Sequence, residues 1–442
     1  MRASCLIATV CLPFVLPLAA CQSKDQPPSP APVTPPQAPS SLAAIAAGPL
    51  SGVTDTEIVL GQSAAFSGPS AGLGIEMWRG ASAAFSAVND RGGVLGRKVR
   101  LVLADDAYDA EKAAPAVVGL IGQQHPFLLF GAVGTPTLVR ALPVIRKRYE
   151  ESGLFLFSDF TGAQPQRRPP YEQVVFNVRA SYFEEAKAIV DAFVARGKTK
   201  VGTFVQDDAY GTDGREGVKR ALKDHGLTLA ADTTYPRGQT VDVSNDAQVK
   251  ILRDSQVDAV VMVGSYQACA GFVRDVRRSG WGVVLDGVSF VGADQMLKLL
   301  QDEERRAGPG VISNLVNTQV VPYYEDQSVP VVRDYRAAID RYDPRTPPGV
   351  GDGSYTPAKY SFGSLEGFVS ARALVRVLEK AGRDLTRQNA YAAAEAMGRF
   401  DLGLGVDGEL SHARHQVLDH VWFTQAKSDG WSAVTDIRSA LR

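Results

Sequence analysis

The sequence predicts an α/β protein built as two doubly wound lobes with parallel sheets. Three observations carry this. Short apolar runs alternate with amphipathic helices, the pattern continues from about residue 55 to about residue 300 without a disordered linker, and it holds too many strands for one core. Strands that alternate with helices form right-handed βαβ units, so their sheets are parallel and covered on both faces. A single core stops growing at roughly 250 to 300 residues, and 442 residues divide most economically into two lobes.

Taken in chain order, the first element is an address. Met1-Arg2 gives a positive start, and Leu6 to Ala20 is an apolar run too short, and too interrupted by Pro13 and Pro17, to span a bilayer. Residues 1–20 read as a cleaved signal. Leu18-Ala19-Ala20-Cys21 resembles the lipobox of bacterial lipoproteins, which makes Cys21 the lipidated residue and the membrane a partner through that anchor. Gln22 is not the aspartate that resembles an inner-membrane retention signal, which favours the outer membrane in a Gram-negative host. Cys5 and Cys11 lie inside the signal, so Cys269 alone remains in the folded part and no intrachain disulfide is available. Residues 22–50 carry 8 of the 26 prolines among Ser, Ala and Gln, the composition of an extended tether that buries nothing.

Buried strands are predicted at Ile58 to Leu60, Val99 to Leu103, Phe127 to Phe130, Leu154 to Phe157, Val201 to Val205 and Ala259 to Val263. Met77, Trp78, Ala81, Phe85 and Val88 form one helical stripe, closed by Gly92-Gly93. Ala186, Ile189, Val190, Phe193 and Val194 form another, stopped by Gly197. Ligands of such sheets bind beyond the carboxyl ends of the strands. The loops there, 62–72, 131–137, 158–163, 207–211, 264–267 and 287–290, are rich in small hydroxyl residues and glycine, which suit a polar ligand head, and in aromatics that stack on its body.

Ser67-Gly68-Pro69-Ser70-Ala71, Val88-Asn89-Asp90-Arg91-Gly92-Gly93-Val94-Leu95-Gly96, Asp105-Asp106, Tyr210-Gly211 and Gly363-Ser364-Leu365-Glu366-Gly367 occur in the order and spacing that resemble the substrate-binding proteins of branched-chain amino acid ABC transporters, over about residues 54 to 430. The resemblance implies a type 1 periplasmic binding protein with a three-stranded hinge, residues 54–177 and 312–415 in the first lobe, and 178–311 and 416–442 in the second. It implies a small-molecule ligand, transfer to the permease subunits, a cell-envelope location, and a receptor that can work as a monomer, with no enzymatic activity, cofactor or metal. By position in that family, Gly134, Thr135, Ser158, Phe160 and Thr161 correspond to the grip on the ligand's carboxylate, and Tyr210 and Tyr266 to ligand-facing tyrosines. The family's acid for the ligand ammonium corresponds here to Ser289, beside Phe290. An unpaired buried ammonium costs several kcal/mol, on the order of what burial of any single ion costs, so this departure disfavours an α-amino acid unless Asp159 or Asp207 substitutes. Phe66, Phe160, Tyr210, Tyr266 and Phe290 would line an aromatic cleft suited to a branched or aromatic organic acid or a more apolar molecule.

Other function classes are weaker. A net charge of −1 gives no field for nucleic acid. Gly68-Pro69-Ser70-Ala71-Gly72 matches a nucleophile elbow, and a lipoprotein hydrolase using Ser70 is one alternative, but it needs a histidine in reach. His125 and His225 sit at element ends, leaving only His412, His415 and His420. Those three lack a cysteine partner for metal, and Arg414 among them opposes a cation. Gly403-x-Gly405-x-x-Gly408 matches a dinucleotide fingerprint without a preceding strand or following helix. A ligand sensor on the same fold is the other alternative.

Overall fold

The computed structural model describes residues 52–435; the signal, Cys21 and the tether lie outside these residues. The elements are β1 (Glu57–Ala64), α1 (Ala71–Asp90), β2 (Lys98–Asp105), α2 (Ala110–Gln124), β3 (Leu128–Val133), α3 (Thr135–Ser152), β4 (Leu156–Phe160), β5 (Val175–Phe176), α4 (Tyr182–Ala195), β6 (Val201–Gln206), α5 (Ala209–Asp224) and β7 (Ala231–Tyr235). They continue with α6 (Asp246–Asp254), β8 (Ala259–Val263), α7 (Tyr266–Arg278), β9 (Val284–Gly287), α8 (Ala293–Ala307), β10 (Leu315–Gln319), α9 (Pro330–Tyr342), α10 (Phe362–Ala381), α11 (Arg387–Glu395), β11 (Gly398–Asp401), β12 (Asp407–Leu410), β13 (Trp422–Lys427) and β14 (Gly430–Val434).

One sheet has the order β2-β1-β3-β4-β5 and the other β14-β13-β10-β9-β8-β6-β7. β1 to β5 pair in parallel, as do β6 to β10. β13 and β14 add an antiparallel edge to the second sheet. Counted within its own lobe, each parallel set therefore runs 2-1-3-4-5. That order reverses once, and the reversal opens a crevice at the carboxyl ends of the strands.

All six strands expected from apolar runs are present. The lobe boundary expected at 312 is corrected by β10, which pairs Leu315 with Leu285 and Asn317 with Gly287. The chain stays in the second sheet through Gln319, because β10 covers what would otherwise be the bare edge of β9. It crosses between lobes three times, over 177–181, 320–329 and 411–421. The first and third crossings run side by side, with the Asn177 amide donating to the His415 carbonyl at 2.7 Å and the Val417 and Leu418 amides donating to the Asn177 and Val178 carbonyls.

Local chemistry fixes where the helices begin. Ser181 and Glu184 form a reciprocal capping box at the start of α4, while Asp109, Asp208 and Ser361 cap α2, α5 and α10. The helices α1 and α10 approach so closely that a Cβ on Gly80 would lie 1.6 Å from the Ser364 carbonyl oxygen, and one on Gly367 would lie 2.1 Å from that of Met77. Both positions require glycine. A strand, β11, does precede the run Gly403 to Gly408, but β12 follows as its antiparallel partner, so the run is a hairpin and no helix N-terminus faces a phosphate. Among the described residues no helix is long and apolar enough to cross a membrane.

Candidate functional site

Five aromatic rings from both lobes meet at the crevice. Tyr108, after β2, and Phe160, at the end of β4, come from the first lobe; Tyr182, Tyr210 and Phe290 come from the second. Phe290 is the hub, with ring centroids 4.9 Å from Tyr210, 5.3 Å from Phe160 and 6.1 Å from Tyr108. Tyr182 lies 5.2 Å from Tyr210. Separations in this range are favourable for tilted and edge-on ring pairs. Gln206 of the second lobe donates to the Tyr108 hydroxyl at 3.4 Å, a further link across the gap. Gly134 makes room for Tyr108: its φ is +106°, and a Cβ there would sit 2.5 Å from the Tyr108 ring.

Beside the rings lies a cluster of hydroxyls. Thr135 and Thr161 share a hydrogen bond at 2.6 Å, and the Tyr182 hydroxyl lies 3.3 Å from Thr161 and 3.5 Å from Thr135. Burial pushes the Tyr182 phenol well up, so it stays protonated and can donate. Thr135 is the first residue of α3, whose N-cap Gly134 supplies no side-chain cap. The positive end of an eighteen-residue helix thus adjoins three hydroxyls, an arrangement that favours an anion.

Behind the rings is a buried charge network centred on Arg179, in the first crossing. Its Nη2 reaches Glu185 Oε1 at 3.1 Å and makes a short contact with Ser289 Oγ; its Nη1 is 3.4 Å from Glu366 Oε1, without hydrogen-bond alignment. The guanidinium lies over the Phe160 and Tyr182 rings, 5.3 and 5.8 Å from their centroids. Burial opposes its charge, but Glu366 and Glu185 hold its pKa above the ordinary arginine value. Glu185 accepts four donors: the Ser289 amide at 2.7 Å, Ser289 Oγ at 2.9 Å, Thr318 Oγ1 at 2.7 Å and Arg179. Glu366 is pushed up to about 7 by burial, against the pull of Arg179. Asp159, whose oxygens have no hydrogen-bond partner, is pushed up to about 6 by burial, against Arg167 and Arg179.

The crevice therefore brings together Gly134, Thr135, Phe160, Thr161, Tyr210, Ser289 and Phe290. Ser158 is set apart. It lies within β4, not in the loop after it, and its hydroxyl donates to Ser370 on α10 at 2.8 Å. The strand runs on past the apolar segment because Ser158 and Asp159 are themselves fully buried. Phe66 is also apart: no ring contact joins it to the five, and its backbone lies against Gly351 of the long loop before α10. Tyr266 sits at the mouth, against Gly292, in a groove of 430 Å³ shared with Gly68, Asp294, Gln295 and Tyr355. Asp207 is exposed. The C-terminal histidines are engaged elsewhere, His412 and His415 with Glu395 and His420 with the Trp422 ring. Among the described residues no group of His, Cys, Asp and Glu is arranged to hold a metal ion.

Residues 57–431 match the family of periplasmic binding proteins. The chain belongs to that family. A solved structure of a possible leucine/isoleucine/valine-binding protein from Rhodopirellula baltica SH 1 superposes with a TM-score of 0.76 at 32% identity, covering 90% of this chain and 100% of that one. A Leu/Ile/Val-binding protein homolog 7 of Brucella abortus is 31% identical over 247 residues, 54% of this chain and 60% of the relative. An amino acid binding protein of Pseudomonas aeruginosa is 25% identical over 225 residues, 51% of this chain and 58% of the relative. The chain spans about three fifths of the length of these two curated relatives.

In this periplasmic binding protein, sequence reasoning missed Tyr108, Arg179, Tyr182 and Glu185. Arg179 and Tyr182 follow a strand of only two residues, Val175–Phe176, too short to show periodicity. The capping signature Ser181-x-x-Glu184 was a usable signal for the helix that positions Tyr182 and Glu185.

Proposed function

We propose that this protein is the substrate-binding component of an ABC importer, and that it captures a small organic anion with a branched or aromatic body between its lobes and delivers it to permease subunits. The observation that carries the ligand class is the state of Glu185. It is the carboxylate that meets Ser289, and its two oxygens already accept four donors, which leaves no seat for a ligand ammonium. Glu366 and Asp159 each feel the positive charge of Arg179 and Arg167, so the cations these two carboxyls meet are supplied from within the protein. The hydroxyls of Thr135, Thr161 and Tyr182, with the start of α3, suit a carboxylate, and the rings suit the body.

The test is thermal unfolding of the protein against leucine, isoleucine, valine and phenylalanine and against their deaminated acids. A ligand at 100 times its dissociation constant stabilises by about 2.7 kcal/mol. The expected result is a raised midpoint with the deaminated acids and little change with the amino acids. A shift confined to the amino acids would overturn the anion reading, and no shift with either set would overturn capture of this ligand class.

The same reading includes a lipid anchor at Cys21, supported by the run Leu18-Ala19-Ala20-Cys21 and the proline-rich segment after it. Two or more acyl chains hold a protein durably where one does not. The intact mass of the mature protein from membranes is expected to begin at Cys21 and to carry diacylglycerol; an unmodified N-terminus would refute the anchor.

A further inference from the structure

The mouth of the crevice holds a contact that the ligand reading does not use. Asp294, in the first turn of α8 in the second lobe, reaches out of its lobe with both oxygens. Oδ2 accepts the Phe362 amide of α10, in the first lobe, at 2.8 Å, and Oδ1 accepts the Tyr324 hydroxyl, in the second crossing, at 3.0 Å. The Phe362 amide is one of the donors that a helix start leaves unpaired. Ser361, the N-cap, bonds the Ser364 amide, so the cap of Phe362 comes from the opposite lobe. The neighbouring Gln295 donates to the Tyr355 hydroxyl at 2.9 Å, which donates to Glu76 of α1 at 2.8 Å.

We propose that Asp294 is the latch of the closed form: a second-lobe carboxylate that caps a first-lobe helix and holds the hinge, so that parting the lobes breaks both bonds. The assignment rests on the reading that the lobes part to admit a ligand. Closure has a consequence for protons. In the closed form burial pushes Asp294 up to about 7, against the Phe362 amide and the Tyr324 hydroxyl, with Glu76 adding to the rise. The groups around it are Glu76, itself paired with Arg79, the phenols of Tyr323, Tyr324 and Tyr355, and Lys298 one turn on in the same groove. A solvated aspartate titrates near 3.9, so closing takes up a proton between about pH 4 and about pH 7. Protonation favours the closed form most below that window. The advantage falls by up to tenfold per pH unit within it and is gone above about pH 7.

Small-angle X-ray scattering on the full chain, without any ligand, tests this. The wild type is expected to expand between about pH 5 and about pH 8.5. Asp294→Asn, which keeps an acceptor for the Phe362 amide but carries no charge, is expected to stay compact at both. Asp294→Ala loses the cap and is expected to shift the balance toward open by about fivefold, the usual effect of a lost helix cap. A pH response of Asp294→Asn equal to the wild type would overturn the proton coupling, and an Asp294→Ala protein as compact as the wild type at about pH 5 would overturn the latch. Circular dichroism checks folding, and if the alanine variant does not fold, the asparagine variant decides. Because no ligand is added, failure of the ligand class proposed above leaves this outcome readable.

Discussion

Arg179→Leu is expected to destabilise the protein by about 3 to 5 kcal/mol, the range found when one partner of a buried ion pair is removed and the other is left uncompensated. Arg179 and Glu185 are both fully buried, and Glu366 nearly so. The loss should grow with pH. In the wild type the Glu366 carboxyl is already raised to about 7 by burial, against Arg179. Its contribution to stability is present below its ordinary value near 4.3 and is lost as pH rises through about 7. Without Arg179 the carboxyl rises further, so the native state must hold its proton to higher pH. Denaturant unfolding at about pH 5 and about pH 8 is expected to show the smaller gap between variant and wild type at the lower pH. A gap independent of pH would mean that Arg179 matters only through packing on Phe160 and Tyr182.

Gly80→Ala is expected to cost about 3 kcal/mol or more, at or beyond the upper end of usual overpacking. The atom that the new methyl meets, 1.6 Å away, is the Ser364 backbone carbonyl oxygen, which has no rotamer with which to yield. The helices α1 and α10 must separate, and α10 carries Phe362 and Glu366 to the interlobe contacts. The variant should therefore show a lower unfolding midpoint together with expanded scattering. An alanine variant with wild-type stability would show that the helices can slide apart without penalty. The same reasoning applies from the other side at Gly367.

How much of this was legible follows from which residues announce themselves in a pattern. The apolar runs from Ile58 and from Ala259 stand out because a strand buried on both faces has to be almost wholly apolar, and each appears as a strand. Gly134, Thr135, Thr161, Tyr210 and Phe290 were accessible to the same logic, since a doubly wound sheet places its functional loops after its strands. Ser158 and Asp159 escaped it: polar residues inside a buried strand look like the beginning of a loop. Arg179 and Glu185 escaped for another reason, because a buried ion pair joins positions with no periodic relation, and only the folded chain brings them to 3.1 Å. Glu366 lay in view within Gly363 to Gly367, but nothing local shows that its partner is an arginine 187 positions earlier. The end of the second lobe was misplaced because β10, with Asn317, Thr318 and Gln319 among its five residues, lacks an apolar run.

Two of the three crossings are hydrogen bonded to each other, from Asn177 and Val178 to His415, Val417 and Leu418, and this governs the mechanics of opening. Three separate swivels would let one lobe twist, slide and tilt on the other. Two segments joined by backbone hydrogen bonds resist shear along their length, since sliding would stretch those bonds, more than they resist bending across them. Collective hinge motions of this kind fall in the microsecond to millisecond range. On the proposed reading, in which the lobes part to admit a ligand, this lacing favours bending over sliding and so returns the same aromatic faces and the same Asp294 to register.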